Sequence, residues 1–185
     1  MVFPAILLLA MSAETPALGS TEASAPPVKH CAGAEYRQFD FWVGSWDVYP
    51  TGRDQLVAHS LIESVYNGCG VRENWMPLKT ENSGGSLNIY MPAEKLWRQT
   101  WIDSSGARVD FKGGWNGKAM VLEGFWQDFV APGKGSLVRM TYSKAPDGSV
   151  RQLGEASQDH GQSWQPSFDF TYRPAGRAAD QVRPE

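Results

Sequence analysis

The sequence has few of the residues from which metal, nucleotide and nucleic-acid sites are built. It contains three histidines and two cysteines, which do not stand at the spacing of zinc ligands. Only His59 falls in a predicted strand, which also disfavours haem. No G-x-S-x-G nucleophile motif and no phosphate-binding glycine loop occur. The formal net charge is −3 and basic residues form no stripe, so we predict no metal, no other cofactor and no nucleic-acid partner.

Long hydrophobic runs are also missing. The run VFPAILLLAM near the N-terminus is far shorter than the roughly 20 residues of a membrane span. It is typical of the apolar part of a secretory signal, although no Lys or Arg precedes it. We predict a signal peptide at 1–17, a disordered tether at 18–35, a folded domain at 36–174 and a disordered tail at 175–185. The protein is therefore expected to be exported, to the periplasm or the medium, with no membrane span.

The two cysteines, Cys31 and Cys69, are predicted to form a disulfide, because export places them in an oxidising compartment. The bridge would close a loop of about 38 residues and stabilise the fold by about 3–4 kcal/mol. The alternative is that both are small unpaired residues.

Aromatic and turn-forming residues are abundant, with eight Trp, eight Phe, six Tyr, nineteen Gly and twelve Pro. From residue 39 onward the chain divides into about ten strand-length segments, separated by turn signals such as NSGG, DSSG and APDGS. No helical period is sustained between residues 39 and 174. This pattern predicts an all-β domain, a single up-and-down antiparallel barrel of about ten strands, because closure leaves no exposed sheet edge.

The stretch FDFWVGSWDV, residues 39–48, is predicted to cross the floor of the barrel and enter the first strand. Trp42 and Trp46 would close the floor, and Gly44 would allow close approach of the backbone. Arg173, in the last strand, is expected to stack on Trp46, a contact worth about 0.5–2 kcal/mol. Gly-x-Trp with an arginine in the terminal strand resembles the lipocalin and wider calycin pattern.

A closer resemblance rests on a set of motifs between residues 36 and 173. RQFDFWVGSWDV, ENW, SLNIY, WRQTWIDSSG, VLEG and VRQLGEASQDHGQSW resemble a family of exported bacterial proteins that share an N-terminal FDFW-x-G-x-W signature. The resemblance implies a lipocalin-like or nitrobindin-like barrel. That family has no agreed activity, so the resemblance implies a fold rather than a function.

The segment SQDHGQSW, residues 157–164, matches the Asp-box pattern S-x-D-x-G-x-[ST]-W. In this pattern an Asp side chain, here Asp159, accepts hydrogen bonds from the backbone of a hairpin turn, and a Trp, here Trp164, covers the turn. Asp-boxes recur in sialidase propellers, but a propeller needs several blades. We therefore predict a structural turn.

The residues facing the barrel interior are predicted from strand alternation. We turn the tryptophans of the third and fifth strands inward and choose the faces of the other strands to match. This arrangement predicts eight ligand-binding residues: Glu73, Trp75, Asn88, Tyr90, Gln99, Trp101, Arg139 and Gln152. Such a lining suits a ligand with polar groups and a flat or apolar body. A shift of one residue would exchange the two faces, and the polar residues would then face solvent.

Three functional hypotheses follow. In the first, the barrel binds a small, partly apolar molecule in its interior. In the second, the protein is a cofactor-free isomerase, cyclase or lyase with Glu73 as general base, since an apolar cavity raises a carboxyl pKa; Tyr90 or Arg139 would then stabilise an oxyanion. In the third, the interior is packed shut and the protein is structural.

Overall fold

The computed structural model describes residues 30–176. The predicted signal peptide, residues 1–17, lies outside the described residues, as do most of the tether and residues 177–185 of the tail. The described chain forms ten antiparallel strands. They are β1 (Gly44–Pro50), β2 (Ala58–Val65), β3 (Gly70–Pro77), β4 (Gly84–Met91), β5 (Leu96–Asp103), β6 (Arg108–Trp115), β7 (Met120–Ala131), β8 (Lys134–Lys144), β9 (Val150–Ser157) and β10 (Gln165–Pro174).

Each strand pairs with the next one in the chain, and β10 pairs with β1 to close the sheet. This confirms the prediction of an all-β, up-and-down, ten-stranded barrel. The helices between residues 30 and 176 are three short 3₁₀ turns: Ala34–Arg37, Asp40–Trp42 and Tyr66–Gly68. No helix in this part of the chain is long and apolar enough to cross a membrane.

The segment before β1 closes one end of the barrel, which we call the floor. Phe39 and Trp42 are fully buried there, with their rings stacked 4.9 Å apart between centroids. Phe39 also meets the rings of Trp97 and Tyr142 edge-on. Burying aromatic rings of this size gives the floor much of its stabilisation.

The Gly-x-Trp motif connects the floor to β1. A Cβ atom on Gly44 would lie 3.3 Å from the indole ring of Trp46, so the glycine leaves room for that ring. The Trp46 Nε1 donates a hydrogen bond to the carbonyl oxygen of Trp42 at 2.8 Å. The motif thus joins the last floor residue to the first inward-facing residue of β1.

Arg173 does not stack on Trp46, so that part of the prediction is wrong. The Arg173 residue pairs with Asp47 in the sheet, which places it on the outer face of the barrel, whereas Trp46 points inward. Its guanidinium lies 4.3 Å from the ring centroid of Tyr49 and donates to a carboxylate oxygen of Asp54 at 3.1 Å. The arginine therefore interacts with an aromatic ring, but on the other side of the sheet.

Cys31 and Cys69 form the predicted disulfide, with 5.0 Å between their Cα atoms. It joins the chain just before the first 3₁₀ turn to the β2–β3 connection. Arg37 adds a second link by donating a hydrogen bond to the carbonyl oxygen of Gly68. The tether is predicted to extend to residue 35, but Cys31 is bonded to Cys69 and the 3₁₀ turn that begins at Ala34 contacts β4 through the rings of Tyr36 and Tyr90.

The Asp-box forms the turn between β9 and β10. The Asp159 Oδ1 accepts hydrogen bonds from the backbone N–H of Ser163 at 2.8 Å and from the hydroxyl of Ser157 at 2.7 Å. The Ser163 hydroxyl donates to the Asp159 Oδ2 at 2.6 Å. These donors hold the pKa of the Asp159 carboxyl well below its usual range. Trp164 lies beside the turn under the guanidinium of Arg139, at 4.1 Å.

Replacing Asp159 with Ala is expected to lower the Tm by roughly 2–4 °C, because the turn loses its acceptor for three donors. Asp159→Asn keeps one acceptor oxygen and should lose less. Thermal unfolding followed by circular dichroism measures both variants. An unchanged Tm for Asp159→Ala would show that the turn forms without its side-chain acceptor.

Candidate functional site

The barrel is hollow at the end opposite the floor. A cavity of about 260 Å³ lies there, bounded below by buried side chains and above by partly exposed aromatic rings. The position of the cavity follows from the topology. The floor lies at the first residues of β1, β3 and β5, and the rim of the cavity lies near the last residues of these strands. The lining residues are Glu73, Trp75, Gln99, Trp101, Phe111, Trp126, Met140, Tyr142, Gln152, Phe168, Phe170 and Tyr172.

The aromatic wall of the cavity is built partly by β10. A bulge between Pro166 and Phe168 shifts the pairing of β10 with β9, and beyond it Phe168 and Phe170 stack with 5.7 Å between centroids. A Cβ atom on Gly154 would lie 2.2 Å from the Phe168 ring. The glycine in β9 therefore allows the Phe168 ring to lie flat against the neighbouring strand.

Glu73 is the carboxylate of the cavity, and only 5% of its surface is exposed. The Ser60 hydroxyl donates to its Oε1 at 3.3 Å and the Ser86 hydroxyl to its Oε2 at 3.0 Å. Burial raises the pKa of Glu73 to about 7, although hydrogen bonds from Ser86, Ser60 and Tyr172 act in the opposite direction. Near neutral pH the group is therefore divided between its charged and neutral forms.

A chain of hydrogen bonds continues from Ser86 around the inner face. The Asn88 Nδ2 donates to Ser86 Oγ at 3.1 Å, and the Gln99 Nε2 donates to Asn88 Oδ1 at 2.6 Å and to the Tyr142 hydroxyl at 3.4 Å. The amide groups of Asn88 and Gln99 thus satisfy each other's hydrogen-bonding capacity on the inner face, as buried polar groups require.

This series of hydrogen bonds ends at two tyrosines, Tyr142 and Tyr172. The Gln152 Nε2 donates to the Tyr142 hydroxyl at 3.0 Å, and the Tyr172 hydroxyl donates to the Gln152 Oε1 at 2.7 Å. Burial, and next the negative charge of Glu73, raise the pKa of both tyrosines well above its usual range. Both hydroxyls therefore stay protonated, and Glu73 is the group of this network that titrates near neutral pH.

Most of the residues predicted to bind a ligand face the interior. Glu73, Trp75, Gln99, Trp101 and Gln152 line the cavity. Asn88 is fully buried on the inner face, behind the lining rather than in it. Tyr90 lies toward the floor, where its ring meets Tyr36 edge-on at 5.4 Å. Contact of these residues with a ligand stays a prediction.

Arg139 is the exception, because it lies on the outer face of β8. Its neighbours Val138 and Met140 are buried on the inner face, so alternation turns Arg139 outward. There its Nε and Nη2 donate to Glu155 Oε2 at 3.0 and 2.9 Å. The prediction that Arg139 lines the cavity is therefore wrong. Arg139 lies on the surface and cannot stabilise an oxyanion beside Glu73.

Sequence reasoning missed several residues of the site. Phe168, Phe170 and Tyr172 alternate along FDFTYR, and this period of two was a usable signal for an inward face. Ser60 and Ser86 carried no such signal. They reach Glu73 because β2 and β4 flank β3 in a register that pairs Glu73 with Ser86.

His59 lies outside the cavity, on the outer face of β2. Its Nδ1 is 2.7 Å from Asp47 Oδ1. No three His, Cys, Asp or Glu side chains of the described chain are grouped so that they could hold a metal ion.

The architecture and the cavity define the class of this protein as a closed ten-stranded antiparallel barrel with a pocket at one end, compatible with a calycin-like fold. No protein-family model matches the chain, and no curated protein matches it significantly. The function is therefore inferred from the cavity itself.

Proposed function

We propose that this protein is an exported binding protein that holds a small, partly apolar molecule in the open end of its barrel. The observation that carries the proposal is the cavity of about 260 Å³, which combines an aromatic wall with a buried polar network. A ligand site typically has a mostly apolar surface with a small number of polar groups that converge on the ligand. The cavity also argues against a barrel that is packed shut.

The size of the cavity limits the ligand. Drug-sized molecules occupy pockets of roughly 300–1,000 Å³, and this cavity lies just below that range. Trp75, Trp101 and Phe170 provide flat apolar surface, whereas Glu73 and Gln152 provide polar contacts. We expect a ligand about the size of one ring with a short polar substituent.

Export is supported by the Cys31–Cys69 disulfide, which is of the kind that persists in oxidising compartments. The apolar run near the N-terminus, which resembles a secretory signal, predicts the same location. A periplasmic or secreted location fits a protein that collects a small molecule outside the cytoplasm.

Filling the cavity is expected to abolish binding. Met140→Trp adds a large side chain to the lining, and Thr141→Trp adds the same side chain on the outer face of the same strand. With phenethyl alcohol as a neutral probe, isothermal titration should show binding to the wild type and to Thr141→Trp, and at least about tenfold weaker binding to Met140→Trp.

The companion measurement is native mass spectrometry of the protein purified from its own host. A retained small molecule would support the proposal and show the ligand class. Failure to bind the neutral probe, together with an empty protein from the host, would contradict it. Binding that is equal in both Trp variants would move the ligand site away from the cavity.

A second candidate function is favoured by the pKa of Glu73, which lies at about 7. A general base is most effective when its pKa is near the working pH, so the site also suits cofactor-free proton transfer on a bound molecule. With the molecule retained from the host as substrate, Glu73→Gln should reduce kcat by roughly 10²–10⁴-fold if Glu73 is the base. Binding without turnover in the wild type would exclude this candidate.

A further inference from the structure

The charge of the cavity lining is unbalanced. Among the described residues that line the cavity, Glu73 is the one that can carry a charge near neutral pH. The other titratable groups that face it are Tyr142 and Tyr172, which stay neutral. Ser60 and Ser86 also face it and do not ionise. An ionised Glu73 therefore gives the cavity a charge of minus one.

No basic residue is among the described residues that line the cavity. Outside the cavity, Arg72 pairs with Glu63, Arg98 with Glu94, Arg139 with Glu155 and Arg151 with Asp169. Within residues 30–176 no ion pair involves Glu73. Because a buried charge without a partner is costly, a ligand that supplies the positive charge gains more here than at an exposed acid.

The aromatic wall adds a second reason. The rings of Trp75, Trp101, Trp126, Phe168 and Phe170 line the same cavity, and the faces of such rings attract cations. The Trp75 and Tyr172 rings lie 6.4 Å apart between centroids, and Tyr172 also contacts Glu73. The carboxylate is thus set among aromatic rings, as in sites that recognise ammonium groups.

The Glu73 carboxylate also keeps room for a ligand donor. An ionised carboxylate offers about four lone-pair positions. The Ser60 and Ser86 hydroxyls donate from the protein side, whereas the Tyr172 hydroxyl donates to Gln152, which leaves lone-pair positions for an N–H group in the cavity. The protein donors orient the carboxylate and do not neutralise it.

We propose that the cavity selects small organic cations, with the ammonium group of the ligand against the Glu73 carboxylate and its apolar body against the aromatic wall. This inference rests on the proposed binding function and names its ligand class. Anionic ligands of the same shape are excluded by the charge of Glu73. Neutral ligands lack this charge attraction and bind mainly through the aromatic wall.

Three probes of nearly equal shape test the selectivity: phenethylammonium, phenethyl alcohol and phenylacetate. By isothermal titration at about pH 8, the wild type should bind the cation at least about tenfold more tightly than the alcohol, and the anion most weakly. Glu73→Gln should lose the preference for the cation and keep its affinity for the alcohol. Glu63→Gln, the same change on the outer face of β2, should leave all three affinities unchanged.

The pH dependence of the wild type provides a test that needs no variant. The amine stays protonated between about pH 8 and pH 5, whereas Glu73 becomes neutral as the pH falls through about 7. Affinity for phenethylammonium should then fall by up to about tenfold per pH unit, and affinity for phenethyl alcohol should stay level. This series replaces the Glu73→Gln comparison if that variant does not fold.

Two results would overturn the inference while leaving the binding function intact. One is equal affinity for the cation and the alcohol, and the other is tightest binding of phenylacetate. Binding of none of the three probes, together with an empty protein from the host, would instead contradict the proposed function itself. A preference for the cation that persists in Glu73→Gln would assign the selectivity to the aromatic rings and contradict the role of the carboxylate.

Discussion

Replacing Glu73 with Gln is expected to make the protein more stable above neutral pH, by about 3 kcal/mol at pH 8 or higher. The pKa of Glu73 rises from an ordinary value of 4.5 to about 7 in the folded protein, and each pKa unit corresponds to about 1.4 kcal/mol. Between these two values the folded state binds more protons than the unfolded state, so the free energy of unfolding falls as the pH rises. Glutamine does not titrate and avoids this loss.

Urea unfolding of the wild type and of Glu73→Gln between pH 4 and pH 9 measures the effect. The two stability curves should diverge through the interval from about 4.5 to 7 and then run parallel. Glu63→Gln is the matched control, because Glu63 lies on the outer face and pairs with Arg72; it should follow the wild-type pH dependence. A Glu73→Gln variant that is less stable than the wild type at pH 8 would contradict the sign of the prediction.

This expectation bears on function. The buried carboxylate of Glu73 destabilises the folded protein at neutral pH, whereas an amide in its place would not. Functional sites commonly contain groups that are unfavourable for folding. A positive result would therefore indicate that the carboxylate serves ligand binding or chemistry rather than packing.

Removing the disulfide is expected to have an effect of similar size and opposite sign. Cys31 and Cys69 are 38 residues apart, and a loop of that length contributes about 3–4 kcal/mol through the entropy of the unfolded chain. The Cys31→Ser, Cys69→Ser double variant should lose that amount, with a fall in Tm on the order of 10 °C. The bridge holds the segment that leads into Phe39 and Trp42, so the floor should loosen first.

Thermal unfolding with and without a reductant measures this effect. The reductant should lower the Tm of the wild type to that of the double variant and leave the variant unchanged. A loss below about 1 kcal/mol would mean that the aromatic floor alone fixes the N-terminal segment. Hydrogen exchange at residues 39–42 then reports whether the floor opens before the barrel does.

Local patterns in the sequence were sufficient to predict the fold class. The alternation of aromatic and β-branched residues, broken by glycine-containing turns, is a property of neighbouring residues, and it predicted ten strands in a closed barrel. The disulfide could also be predicted, because two cysteines allow one pairing. The inward direction of Glu73, Trp75, Gln99 and Trp101 followed from turning tryptophans toward the core.

The errors occurred where a side chain's face depends on long-range register. Arg173 was expected on Trp46 and Arg139 in the cavity, yet both lie on the outer face. Along β8 the inward set is Val138, Met140 and Tyr142, so the residues between them, including Arg139, face outward. A displacement of one residue reverses the faces of a strand, so local composition could not settle these positions.

The amino-acid sequence by itself determined the strands, the turns and the cysteine pair, because each depends on short-range pattern or on simple counting. Ten such strands favour a closed sheet because closure leaves no exposed edge. The tertiary structure alone decided that Ser60 and Ser86 reach Glu73, that a cavity remains above the floor, and that no described cation enters it. These features arise from the pairing of β2, β3 and β4 and from the burial that closure produces. The same burial raises the pKa of Glu73 to about 7, because its carboxylate loses contact with water in the folded protein but keeps it in the unfolded chain.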